Sequence, residues 1–251
     1  MTAPTARAET RRDLVVVAVA TLLLFSVAVG AKDLWNPNEP IYGLGVVEMA
    51  ERGDWLVPTV NGFVFAEKPI LYYWMALVAT EILGGTGEFA LRVPSVLAGV
   101  VGGVLLFVLV VPYAGRGRAR IAVGLYATTV MIFWGARTIQ MDILVTVTTL
   151  GVILAVTRVL DHGLSPYRGW TLAGLAAGLG FLAKGPVAWI CPAVPLLLYI
   201  AWTRRWRALL APAVLVGAVT CVVVAAPWIL LLLARGETEF IHEVLIRQNF
   251  T

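Results

Sequence analysis

Long runs of apolar residues, separated by short polar segments, recur along the whole chain. A helix that spans a membrane needs about 17–25 such residues. Seven segments approach or reach that length, and we predict that they cross the membrane at about 14–31, 93–112, 121–136, 143–160, 169–183, 186–202 and 208–234. The fold class that this pattern predicts is all-α: a polytopic transmembrane helix bundle forming one domain over residues 1–251.

The composition supports this class, because 60% of the residues are hydrophobic and 14% are charged, against about a quarter in soluble domains. The excess of basic residues does not indicate nucleic-acid binding, since these residues form short clusters between apolar runs. The two cysteines, Cys191 and Cys221, fall within apolar runs without metal-ligand spacing, which favours packing. The N-terminus resembles a signal peptide, but its apolar run is long enough to span, and we predict an uncleaved first helix.

The basic clusters predict the orientation of the bundle. Four segments on alternate connections contain 11 of the 19 basic residues and only three acids, whereas the other side has 8 basic residues and 12 acids. Under the positive-inside rule, the basic segments lie in the cytoplasm. We therefore predict a cytoplasmic N-terminus, a C-terminus outside and a long polar loop on the outer side of the membrane.

That loop, residues 32–92, is the longest hydrophilic segment of the chain. Within it, residues 41–53 have apolar positions at helical spacing and end at Gly53, which predicts a short amphipathic helix. Residues 70–85 are apolar but too short to cross, and a crossing there would place the next basic cluster outside. We predict that they form a second juxtamembrane helix, amphipathic or re-entrant, on the outer surface.

Acidic and basic residues from three separate loops are expected at this same face of the membrane. Carboxylates can act as general bases or bind cations, and lysine or arginine can hold phosphate. A solvated loop or local salt bridges would explain the same charges without any chemistry. The candidates are Asn38, Glu39, Glu67, Lys68, Arg137, Asp142 and Lys184.

Several of these residues belong to stretches that together resemble a known family. The chain contains LWNPNEPIYGLGVVEMAERGDWLVPTVNGFVFAEKPILYYW, followed by EFALRVPSVLAGV, RTIQMDILVT and GFLAKGP. These stretches resemble the bacterial branch of the protein mannosyltransferase-like family, the branch that includes the lipid A aminoarabinose transferases. The resemblance extends from about residue 32 to the end. It implies a C-type glycosyltransferase that uses a polyprenyl-phosphate sugar as its donor.

The resemblance also implies roles for particular residues. Lys68 matches a lysine that binds the phosphate of the donor lipid, and Glu67 matches a glutamate implied to bind a divalent cation such as Zn, Mg or Mn. Asp142 matches the acid of the second outer loop. Lys184 matches a later lysine that we interpret as a phosphate contact, and Arg137 is a further candidate for that contact.

Two positions depart from the family pattern. Asn38 stands where the family has its first acid, and Ile41 and Tyr42 stand where an arginine is often found. An amide cannot accept a proton from a hydroxyl at neutral pH. The candidates for a general base are therefore Glu39 first and Asp142 second, with Asn38 orienting the hydroxyl. Relatives continue beyond residue 251, so we expect a fragment or a shortened protein.

The function predicted from these features is an inverting transfer of a hexose or pentose to a lipid, glycan or protein acceptor at the periplasmic face. Two alternatives are a non-catalytic or inactive membrane subunit, favoured by Asn38, and a transporter. Transporters place polar groups near the middle of the bilayer, whereas the charges here cluster at one face. The transporter alternative is therefore the weaker one.

Overall fold

The computed structural model describes residues 3–35 and 38–248, and this part of the chain is almost entirely helical. Its α-helices are α1 (Ala3–Ser26), α2 (Asn38–Arg52), α3 (Leu71–Leu83), α4 (Glu88–Thr128), α5 (Val130–Gly135), α6 (Met141–Asp161), α7 (Pro166–Lys184), α8 (Val187–Trp202), α9 (Ala213–Ala234) and α10 (Thr238–His242). Two short strands, β1 (Thr59–Val60) and β2 (Phe63–Val64), pair antiparallel. A 3₁₀ turn covers Trp206–Leu210, and one π-helical turn covers Glu243–Arg247. The predicted all-α class is confirmed.

The long helix α4 contains a chain reversal at Gly115. This residue has φ 80° and ψ 164°, a conformation that only glycine adopts without strain. Beyond it, the Tyr126 hydroxyl donates a hydrogen bond of 3.3 Å to the carbonyl oxygen of Gly99. In a straight helix these two residues would lie about 40 Å apart. The two halves of α4 therefore pack against each other as an antiparallel pair, as expected for the segments predicted at 93–112 and 121–136.

Three helices of the described chain are long and apolar enough to cross a membrane by length and composition. They are Glu88–Thr128, Met141–Asp161 and Ala213–Ala234. The shorter apolar helix Val187–Trp202 packs against α6 and α7. Seven crossings remain a prediction.

Small residues allow α7 to approach α9 closely. A Cβ atom on Gly174 would lie 2.1 Å from the carbonyl oxygen of Gly217, and one on Gly178 would lie 2.7 Å from Cβ of Val224. Both distances are shorter than any real contact, so only glycine fits at these positions. Close packing through small residues is the usual way that helices associate in lipid, and the glycine-rich sequence of α7 serves it here.

A folded cap covers one end of the bundle, built from α2, the β1–β2 hairpin and α3. The helix predicted at 41–53 is confirmed, although it begins three residues earlier, and the predicted second helix corresponds to α3. The buried Tyr72 on α3 anchors the cap, because its hydroxyl donates to the carbonyl of Leu91 at 3.1 Å and lies 2.8 Å from the hydroxyl of Ser95. The indole of Trp74 donates to the carbonyl of Trp55 at 2.7 Å.

The predicted basic segments meet at the other end of the bundle. Arg116, at the reversal of α4, donates to Asp13 of α1 at 2.6 Å. Asp161, at the end of α6, accepts hydrogen bonds from Tyr113 of α4 at 2.5 Å and from Arg205 at 2.6 Å. The structure therefore gathers these segments at one end, away from the cap, and this separation gives the bundle the two distinct faces that the charge pattern predicts.

Candidate functional site

A small polar cavity lies between the cap and the ends of α6 and α7. Its volume is about 240 Å³, and we call it the acid–base pocket. It is lined by residues from α2, the segment before α3, the start of α6 and the end of α7: Asn38, Tyr42, Glu67, Lys68, Gln140, Met141, Asp142 and Lys184. The pocket brings together five of the seven candidates found in the sequence, which come from four separate stretches of the chain.

Asp142 and Lys184 form an ion pair across the pocket. Asp142 lies in the first turn of α6, and Lys184 is the last residue of α7. Each charge therefore complements the dipole of its own helix. The pair stays accessible, because the Asp142 side chain is 58% exposed and that of Lys184 is 31% exposed.

Glu67 and Lys68 contribute an acid and a base that are not paired with each other through their side chains. The Tyr42 hydroxyl donates a hydrogen bond of 2.7 Å to a carboxylate oxygen of Glu67. Burial, and then this hydrogen bond, raise the pKa of Tyr42 far above its usual value, so the hydroxyl keeps its proton and remains a donor. The ammonium group of Lys68 contacts the backbone carbonyl of Glu67 at 3.3 Å and has no carboxylate partner in the described chain. It is therefore a cation available to a ligand.

The first turn of α2 directs two consecutive residues into different surroundings. Asn38 is one helical turn from Tyr42, and both line the acid–base pocket. Glu39 follows Asn38 by about 100° around the helix and does not line this pocket. The helix predicted from residue 41 begins at Asn38 instead, and its first turn therefore separates the two side chains.

Glu39 instead forms a buried ion pair with Arg92 of α4, with side chains only 2% and 3% exposed. Its carboxylate accepts two hydrogen bonds from Arg92, at 2.9 and 3.0 Å, and one each from the backbone amides of Trp35 and Ile139. Arg92 also donates to the carbonyls of Val29, Lys32 and Asp33. This network joins the segment after α1 to α2, α4 and the segment before α6.

Arg137, the remaining candidate for phosphate binding, also lies outside the acid–base pocket. Its guanidinium group donates to the carbonyls of Leu24, Phe25 and Val27 at the end of α1, and it stacks over the ring of Phe133 at 4.9 Å. Burial lowers the pKa of Arg137, as does the charge of Arg92. The side chain caps the carbonyls that a helix end leaves without partners.

A metal ion implied by the resemblance would need ligands beyond those found here. Within residues 3–35 and 38–248, no group of three or more His, Cys, Asp or Glu side chains is placed to hold a metal ion. The acid–base pocket offers two carboxylates, Glu67 and Asp142, and two lysines lie beside them. This donor set does not fit a resident divalent cation, and we derive no chemical step from one.

Three lining residues of the pocket were not identified from the sequence: Tyr42, Gln140 and Met141. Tyr42 could have been found, because it is four residues after Asn38 and a helix starting at Asn38 would place both on one face. Gln140 and Met141 precede Asp142 and enter the pocket with it. The partner of Glu39, Arg92, could also have been found, although its signal in the sequence is weaker. It is a charged residue at the start of an apolar run, where a buried charge requires a partner.

These features define a class: a polytopic helical membrane protein whose polar site lies at one end of the bundle, under a folded cap. The particular family follows from comparison with known proteins. Residues 67–231 match the family described as dolichyl-phosphate-mannose-protein mannosyltransferase, and the chain belongs to that family.

Individual relatives agree with this assignment. The chain is 34% identical over 223 residues to the undecaprenyl phosphate-alpha-4-amino-4-deoxy-L-arabinose arabinosyl transferase of Pseudomonas aeruginosa strain PAO1, covering 86% of this chain and 40% of that protein. It is 30% identical to the protein of the same name from Pectobacterium atrosepticum, covering 90% of this chain and 41% of the relative. The chain thus spans about two fifths of the length of these curated relatives.

Solved structures share the fold. The crystal structure of ArnT from Cupriavidus metallidurans bound to undecaprenyl phosphate has a TM-score of 0.82 at 24% identity, covering 94% of this chain and 44% of that one. Its apo state gives a TM-score of 0.81 at 24% identity, covering 100% of this chain and 46% of that one. The bundle and cap described here therefore form a known arrangement of helices.

Proposed function

We propose that this chain forms the donor-binding part of a membrane glycosyltransferase that takes a sugar from a polyprenyl-phosphate donor. The observation that carries the proposal is the acid–base pocket, where Lys68 and Lys184 lie together with Asp142. Two ammonium groups suit a phosphate, and a carboxylate suits a hydroxyl that must lose its proton. The named relatives use an undecaprenyl-phosphate-linked sugar, which has this head group.

The chemistry requires one substitution at the sugar's anomeric carbon. An acceptor oxygen forms a new bond to that carbon while the bond from the carbon to the phosphate oxygen breaks, and the phosphate leaves with the electron pair. The acceptor's proton passes to a carboxylate, for which we propose Asp142. Lys68 and Lys184 stabilise the charge that develops on the leaving phosphate. A single displacement of this kind inverts the configuration of the sugar carbon.

Glu39 and Arg137 receive structural roles in this proposal. The carboxylate oxygens of Glu39 accept four hydrogen bonds, which leaves little capacity to take a proton from a substrate. Arg137 contributes three hydrogen bonds to the end of α1. Asp142 therefore replaces Glu39 as the first candidate for the base, and Asn38 orients the attacking hydroxyl.

We further propose the orientation of the protein in the membrane. Seven crossings would place the basic end, with Arg116 and Arg205, in the cytoplasm and the cap with its pocket on the periplasmic side. The protein would then be a multi-pass protein of a bacterial inner membrane. The acceptor is a lipid, glycan or protein that reaches this face, and the relatives' names favour a pentose that carries an amino group.

Lys68 provides the experiment that tests the proposal. In Lys68→Ala, we expect undecaprenyl phosphate to bind the purified protein in nanodiscs roughly 10- to 150-fold more weakly, because one charge-assisted contact worth about 1.5–3 kcal/mol is lost. Lys68→Arg should retain part of the affinity, since the charge remains. Arg118→Ala, an exposed cation near the basic end, is the matched control. Unchanged affinity in Lys68→Ala would reject the donor site.

A further inference from the structure

An apolar groove lies on the side of the bundle between α8 and α9, and we call it the α8–α9 groove. Its volume is about 310 Å³, and α7 forms its floor, because both helices pack on α7. Its lining includes Trp170 of α7, Trp189 and Leu196 of α8, and Val214 of α9. Two further lining residues, Ala193 and Ala218, are exposed, so the groove opens on the outer surface of the bundle. None of the roles assigned above uses it.

The groove runs along the helices, and its length fits within one leaflet of a bilayer. The Trp189 indole donates a hydrogen bond of 3.1 Å to the carbonyl of Ala177, at the end of the groove nearer the cap. On α9 the lining extends from Val214 to Cys221, a rise of about 10 Å at 1.5 Å per residue. Half of the hydrocarbon core is about 15 Å thick. An acyl chain of a lipid in the leaflet at the basic end therefore fits the groove lengthwise.

The connection between α8 and α9, residues 203–212, lies at the basic end of the groove, because it joins the ends of the two walls. Its three arginines differ in their partners. Arg205 pairs with Asp161 at 2.6 Å. Arg204 and Arg207 are exposed and have no carboxylate partner within residues 3–35 and 38–248. Two cations of the connection are therefore available to an anion.

The acids at the basic end of the described chain are already engaged. Glu9 and Asp13 both pair with Arg116. Asp161 accepts a hydrogen bond of 2.7 Å from the Tyr199 hydroxyl in addition to its ion pair. An anion that neutralises the two unpaired arginines of the connection must therefore come from outside this part of the chain.

The backbone holds Arg204 in a conformation that arginine rarely adopts. Its φ is 55°, in the left-handed region, and the residue that ends a helix in this way is usually glycine. A side chain at such a position costs free energy, and strain of this kind is concentrated at functional sites. On either side, Trp202 is 88% exposed and Trp206 is 51% exposed. Tryptophan is enriched at the level of the lipid head groups, so the connection is suited to that level.

From these observations we infer that the α8–α9 groove binds an anionic phospholipid of the leaflet at the basic end. The phosphate lies at Arg204 and Arg207, and one acyl chain lies in the groove. Basic pockets between transmembrane helices recognise lipid head groups in this way. The unpaired cations favour an anionic lipid over a zwitterionic one, because the phosphate of the latter is balanced by its own cation. The head group lies at the opposite end of the bundle from the acid–base pocket, so the inference does not depend on the proposed function.

Native mass spectrometry of the full, delipidated chain in detergent tests the site with dioleoylphosphatidylglycerol as the probe. We expect one tightly bound lipid per protein, and dioleoylphosphatidylcholine should bind about tenfold more weakly. Arg204→Gly and Arg207→Gln should each weaken binding by about tenfold, because each removes one charge-assisted contact. Arg118→Gln, at an exposed arginine of the same end, is the matched control and should leave binding unchanged.

Two further variants separate a role in lipid binding from a role in folding. Arg204→Gly places glycine where the backbone favours it, so the delipidated protein should unfold at the same temperature as the parent or higher while lipid binding weakens. A structural role for the Arg204 side chain predicts a lower unfolding temperature instead. Ala193→Trp fills the groove and should also weaken binding. Val194→Trp, at the next exposed position outside the lining, should have no effect.

The two native cysteines locate the bound lipid. Cys221 lines the groove, whereas Cys191 is exposed on α8 outside the lining. Dioleoylphosphatidylglycerol should slow the alkylation of Cys221 by N-ethylmaleimide severalfold and leave that of Cys191 unchanged. Arg204→Gly should remove this protection at the same lipid concentration.

Each other outcome overturns the inference. Equal binding of the two lipids, or an equal loss in Arg118→Gln, would indicate diffuse attraction to positive charge. Competition by soluble glycerol 3-phosphate at the same concentrations would identify a bare anion site. Displacement by undecaprenyl phosphate that disappears in Lys68→Ala would assign the groove to the prenyl chain of the donor. Slow alkylation of Cys221 without added lipid, and without a response to it, would show that protein covers the groove.

Discussion

Two acid–base pairs lie at the capped end of this protein, Glu39 with Arg92 and Asp142 with Lys184, and they differ in exposure and in hydrogen bonding. Glu39 and Arg92 are only 2–3% exposed, whereas Asp142 is 58% and Lys184 is 31% exposed. All five N–H donors of Arg92 have acceptors, two on Glu39 and three on backbone carbonyls. The Asp142–Lys184 pair, in contrast, has a single hydrogen bond between its side chains.

The difference shows how the surroundings of a charge determine its use. A buried pair must satisfy every donor and acceptor internally, because an unpaired polar group in a dry interior costs several kcal/mol. A pair that is complete in this way holds elements together and has nothing left for a ligand. The exposed pair is held by two helix ends and keeps free bonding capacity. The buried pair is therefore suited to stabilising the fold, and the exposed pair is suited to binding or reacting with a substrate.

The largest expected effect tests the buried pair. Glu39→Gln should lower the free energy of unfolding by roughly 3–5 kcal/mol, because the charge of Arg92 loses its partner in a buried site. Chemical denaturation of the purified protein in detergent measures this change. Glu51→Gln, an exposed acid on the same helix, is the matched control, and it should change the value by less than about 0.5 kcal/mol. Full stability of Glu39→Gln together with lost transfer would restore Glu39 as the candidate base.

The next effect tests the exposed pair. Asp142→Asn should slow transfer by about 10²- to 10⁴-fold, the usual contribution of a general base, while donor binding remains measurable. Its free energy of unfolding should change by less than about 1 kcal/mol, because exposed ion pairs contribute little. A single-turnover assay measures the rate of transfer, and chemical denaturation of the same preparation measures the free energy of unfolding. A stability loss as large as that of Glu39→Gln would remove the contrast between the pairs.

Asn38 is part of the same test. If Asp142 is the base, Asn38→Asp adds a third carboxylate to the pocket, beside Glu67 and Asp142, and is not needed for transfer. A parent without transfer that gains it in Asn38→Asp would instead identify the chain as an inactive relative, the alternative that the amide at this position favours.

The smallest effect concerns a third pair of intermediate exposure, Asp54 with Arg235, whose atoms lie 2.8 Å apart. Burial raises the pKa of Asp54, but hydrogen bonds from the Leu56 amide and from Arg235 outweigh it, so the net pKa is lowered. A lowered folded pKa gives stability above the unfolded value of about 3.9, which is lost as the pH falls through the folded pKa.

Arg235→Gln should therefore cost at most about 1 kcal/mol at pH 7, since Arg235 is half exposed. The difference from the parent should vanish at a low pH that lies below the lowered folded pKa of Asp54, because the carboxyl is then protonated in both proteins. Denaturation at the two pH values measures it, with Arg118→Gln as the control. A difference that persists at low pH would show that Arg235 acts through packing rather than through its charge.

The sequence alone determined where the long helices lie and which charged residues were candidates for chemistry. Apolar runs of sufficient length must be helical in a membrane, because the backbone has no other partners there. A charged side chain beside such a run is costly unless water, a partner or a ligand receives it. This argument identified four residues of the pocket: Glu67, Lys68, Asp142 and Lys184. The first helix of the cap followed from the spacing of apolar residues and the second from a short apolar run, and the reversal of α4 followed from the polar segment between the apolar runs at 93–112 and 121–136.

Only the tertiary structure decided what each charge does. Glu39 is neighbour to Asn38 in sequence, but its role depends on Arg92, which lies 53 residues away, and on the residue at which α2 begins. A shift of one residue on a helix turns a side chain by about 100°, enough to move it from the acid–base pocket to a buried ion pair. Arg137 likewise donates its hydrogen bonds to the end of α1, more than 100 residues earlier in the chain. Local patterns reveal that a charge is present, whereas its partner depends on packing between distant segments.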